Sequence, residues 1–180
     1  MISSRVPKRY ALALFKEGKE KNKLDTLKED LSQLSKIYEE SLGFRKLIHS
    51  PVVPAKVKKE AFTDIFKNTL SNITFNFLAL LISAGRENLL MDIIEYFGQT
   101  LDDFNGIVRG EVFSVVPLSE EEIKELKINL DKMTGKNVVL KQSRDESLLG
   151  GFIVKIKDRV FDASLRNQLD RMGEYLVDTP

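Results

Sequence analysis

The residues of this chain that could do chemistry are few. Its single histidine, His49, stands beside Ser50. A nucleophilic Ser–His pair needs a fold to hold it and a third group to orient the base, which adjacency alone does not supply. A capping or surface role before Pro51 is therefore expected. The pair Gly150–Gly151 invites comparison with a phosphate-binding loop, but such a loop follows a strand and opens a helix. Here the glycines precede an apolar run, Phe152 to Ile156, and the next helix comes only after a further hairpin. Asp162 and Ser164 stand where either side chain can cap that helix. The acidic run Glu120 to Glu122 follows Ser119 at a helix start, where the positive end of the helix favours carboxylates, so a metal site is not required to explain it. The chain has no cysteine, which removes disulfides, thiolate nucleophiles and cysteine-based zinc sites together. The remaining carboxylates are interleaved with lysines, the pattern of a solvated face. The expected set of catalytic, cofactor-binding and metal-ligating residues is empty.

Two kinds of periodicity must position whatever function remains. From Val6 to Phe104 the apolar residues recur at helical spacing. The first helix has Pro7 near its start, where a missing N–H is harmless, and aligns Tyr10, Ala11, Leu14, Phe15 and Gly18. The second carries Leu24, Leu27, Leu31, Leu34 and Ile37 on one stripe. A short third segment, Phe44 to His49, stops before Pro51. The fourth begins near Pro54 and is expected to bury Val57, Ala61, Phe62 and Ile65. The fifth, about Asn72 to Ala84, is apolar nearly all round, which predicts a place in the middle of a bundle and an end at Gly85. The sixth carries Leu90, Ile93, Ile94, Phe97, Leu101 and Phe104.

At Asn105–Gly106 the period changes from about 3.6 to 2. Ile107 to Val116 reads as a strand. Ser119 and Glu122 then form a capping box, with Leu118 and Ile123 as its hydrophobic staple, on a helix that Gly135 ends. Asn137 to Gln142 is a second strand, Phe152 onward supplies two more with a turn near Asp158, and Leu165, Leu169, Met172 and Leu176 mark a last helix. The expected fold class is α+β multidomain: a six-helix bundle over residues 1–105, then a small α/β domain of order β-α-β-β-α over residues 106–180.

Charge and hydropathy narrow the partners. The net charge is +1. Residues 1–105 carry 16 basic against 14 acidic side chains and the remainder 12 against 13, so neither half has the strong positive field usual for nucleic-acid binding. The longest almost purely apolar run, Phe77 to Ala84, is far short of the roughly 20 residues a membrane helix needs. The basic N-terminal stretch lacks the features of a secretory signal, and its Glu17 and Glu20 argue against a transit peptide. What remains is surface for protein. The first and fifth helices carry more apolar faces than one core needs, which leaves open either a groove for a partner helix or ordinary packing.

Five stretches in order, "RYALALF" (9–15), "SPVVPAKVKKEAF" (50–62), "LLISAGRENLL" (80–90), "VPLSEEE" (116–122) and the Gly-Gly strand followed by Asp-x-Ser and a helix, carry a resemblance. Over its whole length the chain resembles the delta-subunit family of the bacterial F-type ATP synthase, counterparts of the mitochondrial oligomycin-sensitivity-conferring protein. The resemblance implies a non-catalytic stator component with no cofactor. Its N-terminal six-helix domain would receive the N-terminal helix of an alpha subunit between the first and fifth helices, at Tyr10, Ala13, Leu14, Leu80 and Ser83. Its C-terminal domain would meet the b subunits of the peripheral stalk. The implied location is the cytoplasmic face of the bacterial membrane, peripheral and without insertion. Two positions where the family often has glycine are Lys157 and Ala163 here, which puts a positive φ at them in doubt, and Val116 replaces a commoner small residue. The rival reading, an RNA-binding helical bundle of the transcription-antitermination type, is disfavoured by the α/β second half and the near-neutral charge; a small enzyme is the other rival.

Overall fold

A computed structural model describes residues 5–67 and 69–177, with side chains described to Met172. Among these residues the chain forms eight α-helices and one four-stranded mixed sheet, an α+β protein. It divides into two compact units, residues 1–101 and 102–180.

The first unit is helical. It holds α1 (Arg5–Glu20), α2 (Leu24–Glu40), α3 (Leu42–His49), α4 (Ala55–Phe66), α5 (Asn72–Ser83), a short 3₁₀ turn (Glu87–Leu89) and most of α6 (Leu90–Phe104). All six helices contribute to one hydrophobic cluster, including Leu14, Leu31, Leu34, Phe62, Phe66, Leu81, Ile93 and Phe97. The stripe on α2 is buried at Leu27, Leu31 and Leu34, with Leu24 and Ile37 packed against its edge. At Gly18 an added Cβ would lie 2.4 Å from Leu27 Cδ1, so the missing side chain lets α1 close on α2.

Two expectations about this unit need correction. On α4 the buried residues are Lys58, Phe62 and Phe66, whereas Val57 and Ile65 are 49% and 52% exposed. The helix is turned by about one residue from the face the aliphatic pattern suggested. The reason is aromatic packing: Phe44, Phe62 and Phe66 form a triangle with ring centroids 5.4–5.6 Å apart, and three rings bury more area than two aliphatic side chains. Helix α5 is not central either. Thr74, Leu78, Leu81 and Ile82 are buried, but Leu80 is 53% exposed, so one apolar side of α5 faces outward.

The second unit is built on β1 (Ile107–Ser114), β2 (Asn137–Arg144), β3 (Gly151–Ile156) and β4 (Arg159–Ser164), in the order β2-β1-β3-β4. β1 and β2 are parallel and therefore need a crossover, which α7 (Glu120–Thr134) provides. β3 runs antiparallel to both β1 and β4. One sheet face packs Val108, Val112, Val138, Val154 and Ile156 against Leu130 of α7. The capping box is present as expected: Ser119 Oγ accepts from Glu122 N–H and Glu122 Oε2 accepts from Ser119 N–H at 2.8 Å. Gly135 closes α7 at φ +66. Helix α8 (Leu165–Val177) ends the described chain. Leu165, Leu169 and Met172 lie exposed along it, and the side chain of Leu176 falls outside the described residues.

Lys157 keeps φ +50 although it is not glycine. It is the first residue of the β3–β4 turn, and its Nζ bonds Asp103 Oδ1 at 2.8 Å. Ala163 lies within β4 and is not among the positive-φ residues.

Candidate functional site

The outward apolar side of α5 meets α1 in a groove of about 840 Å³. Ile73, Phe77 and Leu80, spaced four and three along α5, form one wall; Tyr10, Ala13 and Leu14 form the other. Leu14 is almost wholly buried, so it belongs mainly to the core beneath. Asn72 and Asn76 offer amides on the α5 side, and Arg9, Glu17, Lys21 and Arg86 stand around the rim. Glu17 is paired with Lys21 at 2.6 Å. The lining is apolar in its middle and mostly basic at its edge.

The α5 wall is held at both ends. Ser71 caps α5 by accepting from Thr74 N–H. The Asp30 carboxylate of α2 accepts from Ser71 N–H at 3.0 Å and from Thr74 Oγ1. A carboxylate at a helix N-terminus is favoured by the helix dipole as well as by these bonds. At the other end of α5, Gly85 turns at φ +63, and Arg86 N–H donates to Leu81 O at 2.9 Å. Such a left-handed closure takes up carbonyls that the helix end leaves unpaired. Arg86 thereby emerges at the groove. Its guanidinium lies 5.7 Å from the centre of the Tyr10 ring and donates to the Tyr10 hydroxyl at 3.4 Å. Tyr10 in turn packs edge-on against Phe77, centroids 6.3 Å apart.

Of the five residues singled out from sequence, Tyr10, Ala13, Leu14 and Leu80 line this groove. Ser83 is exposed and donates to Ala79 O at 2.8 Å, outside the lining. Ile73, Phe77 and Arg86 line the groove as well. The first two are legible in sequence, since with Leu80 they repeat at helical spacing, whereas the place of the Arg86 side chain depends on the turn at Gly85.

The chemical candidates resolve into local structure. His49 Nε2 hydrogen-bonds the Tyr38 hydroxyl at 2.8 Å. Gly151 sits at φ +75, and a Cβ there would come 2.3 Å from Ala163 O, so the β3 entrance requires a bare backbone. Ser164 Oγ accepts from Asn167 N–H at 3.3 Å and so caps α8, while Asp162 Oδ1 accepts from Ser164 N–H at 2.9 Å. The Ser164 hydroxyl and N–H hold the Asp162 carboxyl below its ordinary pKa. The Ser119 N–H and hydroxyl do the same for Glu122. Among the described residues no group of three or more acids and histidines could hold a metal ion, and no helix is long and apolar enough to cross a membrane.

In the second unit a smaller groove of about 630 Å³ lies between the loop Val115–Leu118, α7 and the Gly150–Phe152 entrance. Gln142 pins that loop, accepting from Leu118 N–H at 3.0 Å and donating back to Leu118 O at 3.3 Å. Val116 is exposed beside it.

The family model described as "ATP synthase delta (OSCP) subunit" matches residues 6–176. The chain is 36% identical over 177 residues to an ATP synthase subunit delta of Geotalea uraniireducens, covering 98% of both chains. It is 37% identical over 180 residues to that of Chlorobaculum parvum, covering 100% of this chain and 99% of the other. Among solved structures, its fold is similar to a chain of the Toxoplasma gondii mitochondrial ATP synthase hexamer. That likeness has a TM-score of 0.68 at 23% identity and covers 97% and 99% of the two chains. A chain of the Polytomella F-ATP synthase is similar over 53% of this chain and 85% of its own length, with a TM-score of 0.51 at 21% identity.

Proposed function

This chain belongs to the ATP synthase delta (OSCP) subunit family, and from that premise we propose that it is a non-catalytic stator subunit bridging the catalytic head and the peripheral stalk. The observation that carries this reading is the α1–α5 groove, with Leu80 half exposed on a helix otherwise apolar enough for a core. Exposed apolar surface of this kind marks a binding face. Its occupant is the N-terminal helix of an alpha subunit. Helix α5 has 12 residues and so offers a wall about 18 Å long, which suits about three turns of an amphipathic helix laid in the groove.

The second unit reaches the b subunits of the stalk. The exposed Leu165, Leu169 and Met172 on α8, spaced four and three, support a helix-packing contact there. The subunit sits on the cytoplasmic face of the membrane as a peripheral part of the complex and inserts nothing into the bilayer.

The role is mechanical. A rotor driven by ion flow changes the head's conformation only if the head is kept from turning with it. Two contacts on one chain supply that restraint, and each raises the effective concentration of the other. ATP is handled elsewhere in the complex.

The test is capture of the purified catalytic head by wild type and by Leu80→Glu. Wild type binds; the charged variant binds far less, because an unpaired carboxylate is costly to bury. Equal capture by both would discard the groove. Nucleotide hydrolysis by the isolated subunit would overturn the scaffold reading.

A further inference from the structure

A lysine sits in the core of the helical unit. Lys58 is 3% exposed and shares the buried face of α4 with Phe62 and Phe66. Its Nζ donates to Ile48 O at 3.3 Å, in the last turn of α3, and pairs with Glu87 Oε1 at 2.5 Å. Three segments of chain meet at one ammonium.

The pair is poorly explained as a stabiliser. Removing two charges from water costs several kcal/mol per ion, and their attraction repays this only when the remaining polar atoms are also satisfied. Glu87 Oε2 is buried with no hydrogen-bond partner among the described residues. A well-packed apolar pair would be about as stable in this place. What an ion pair adds is direction: the carboxylate must lie where the ammonium is, and the ammonium is fixed by Ile48 O.

Glu87 is also the neighbour of Arg86. The turn that carries both is also hung on backbone bonds, Gly85 N–H to Ile82 O at 3.1 Å, Arg86 N–H to Leu81 O at 2.9 Å and Leu89 N–H to Arg86 O at 3.1 Å, and Leu89 packs against the core. The ion pair is its one buried polar side-chain anchor among the described residues. Glu87 points into the unit while Arg86 lies along the groove over Tyr10. We propose that the buried Lys58–Glu87 pair is a positioning device for Arg86: it locks the Gly85–Leu89 turn so that a guanidinium is preset at the end of the partner groove. This deepens the groove reading above and rests on it. A preset cation loses less freedom when a partner docks, and the partner it selects is a helix with an acidic side chain at the Arg86 end of its apolar stripe. Lys58 and Glu87 would then act on binding only through Arg86.

The experiment is a calorimetric titration with a synthetic peptide of the alpha subunit's N-terminal helix, from the same complex. The proteins are wild type, Lys58→Met/Glu87→Leu, Arg86→Gln and the triple variant. The paired apolar replacement folds with a melting temperature near that of wild type yet binds roughly three- to fivefold more weakly. In the Arg86→Gln background it causes no further loss, and in the free protein its Tyr10 ring-proton NMR shifts move to those of Arg86→Gln. Unchanged binding, or the same loss in both backgrounds, overturns the proposal. If the peptide fails to bind wild type, the groove reading falls; the Tyr10 shifts then decide the positioning role alone, and shifts that stay at wild-type values reject it.

Discussion

The Asp30 carboxylate of α2 accepts the Thr74 hydroxyl of α5 at 2.5 Å, across 44 residues of sequence, with both side chains buried. The same Oδ2 takes Ser71 N–H at 3.0 Å. One acid therefore fixes where α5 begins and, through it, one wall of the groove.

Asp30→Ala leaves a buried hydroxyl and a backbone N–H without their acceptor. A hydrogen bond to a charged group contributes about 1.5–3 kcal/mol, so the variant is expected to lose about 3 kcal/mol in urea unfolding. Thr74→Val, which removes one of the two bonds and keeps the volume, should lose less. Equal losses would show that the bond to Ser71 N–H contributes nothing and that Asp30 does not fix the start of α5.

The α4 face makes a paired prediction. Phe66 is almost wholly buried, and Phe66→Ala should cost about 3–5 kcal/mol. Ile65 is half exposed, and Ile65→Gln should stay within about 0.5 kcal/mol. Thermal unfolding of the two variants reads the rotation of the helix directly.

Two glycines with similar positive φ, Gly85 and Gly151, should respond unequally to alanine. At Gly85 nothing lies within 4 Å of an added Cβ, so the cost is that of a left-handed residue, about 1–2 kcal/mol. At Gly151 the Cβ would strike Ala163 O and approach Ser164 Cα at 3.0 Å. Gly151→Ala should be the more damaging, and calorimetry should show the loss in the second unit. Equal effects would contradict the geometry of the β3–β4 entrance.

Acid should loosen the helix starts of the second unit. Glu122 and Asp162 are held below their ordinary pKa values by Ser119 and by Ser164, so at intermediate pH the folded chain binds fewer protons than the unfolded one. The stabilisation is complete above the ordinary carboxylate range and is lost as pH falls through the lowered values. Amide NMR of Ser119, which donates to the Glu122 carboxylate, should shift with a midpoint below that of an exposed glutamate. Glu122→Gln should abolish that titration while leaving the signal of Ser164 unaltered.

Leu80→Glu separates binding from folding. Leu80 is half exposed, so the melting temperature should hardly move while capture of the catalytic head falls at least about tenfold, on the order of 1.4 kcal/mol. A variant that melts early would place Leu80 in the core instead.

Local rules decided much of this protein. The Ser119–Glu122 box, the Ser164 cap and the stop at Gly135 depend on residues within one turn of each other, and they stand where the spacing predicts. The α2 stripe and the inward Val154 and Ile156 follow from period alone. The family was legible in five ordered stretches.

Tertiary structure decided what faces what. The aliphatic pattern on α4 pointed to Val57 and Ile65, but three phenylalanines from two helices set its rotation. Lysine at position 58 reads as surface until its partner, 29 residues away, neutralises the charge. Helix α5 reads as fully buried because hydropathy measures what a side chain tolerates and not what is packed against it. Leu80 is half exposed because, among the described residues of its own unit, none packs over that side of α5. Periodicity sums over neighbours in sequence, whereas the groove, the buried ion pair and the place of Arg86 are made by residues distant in sequence and adjacent in space.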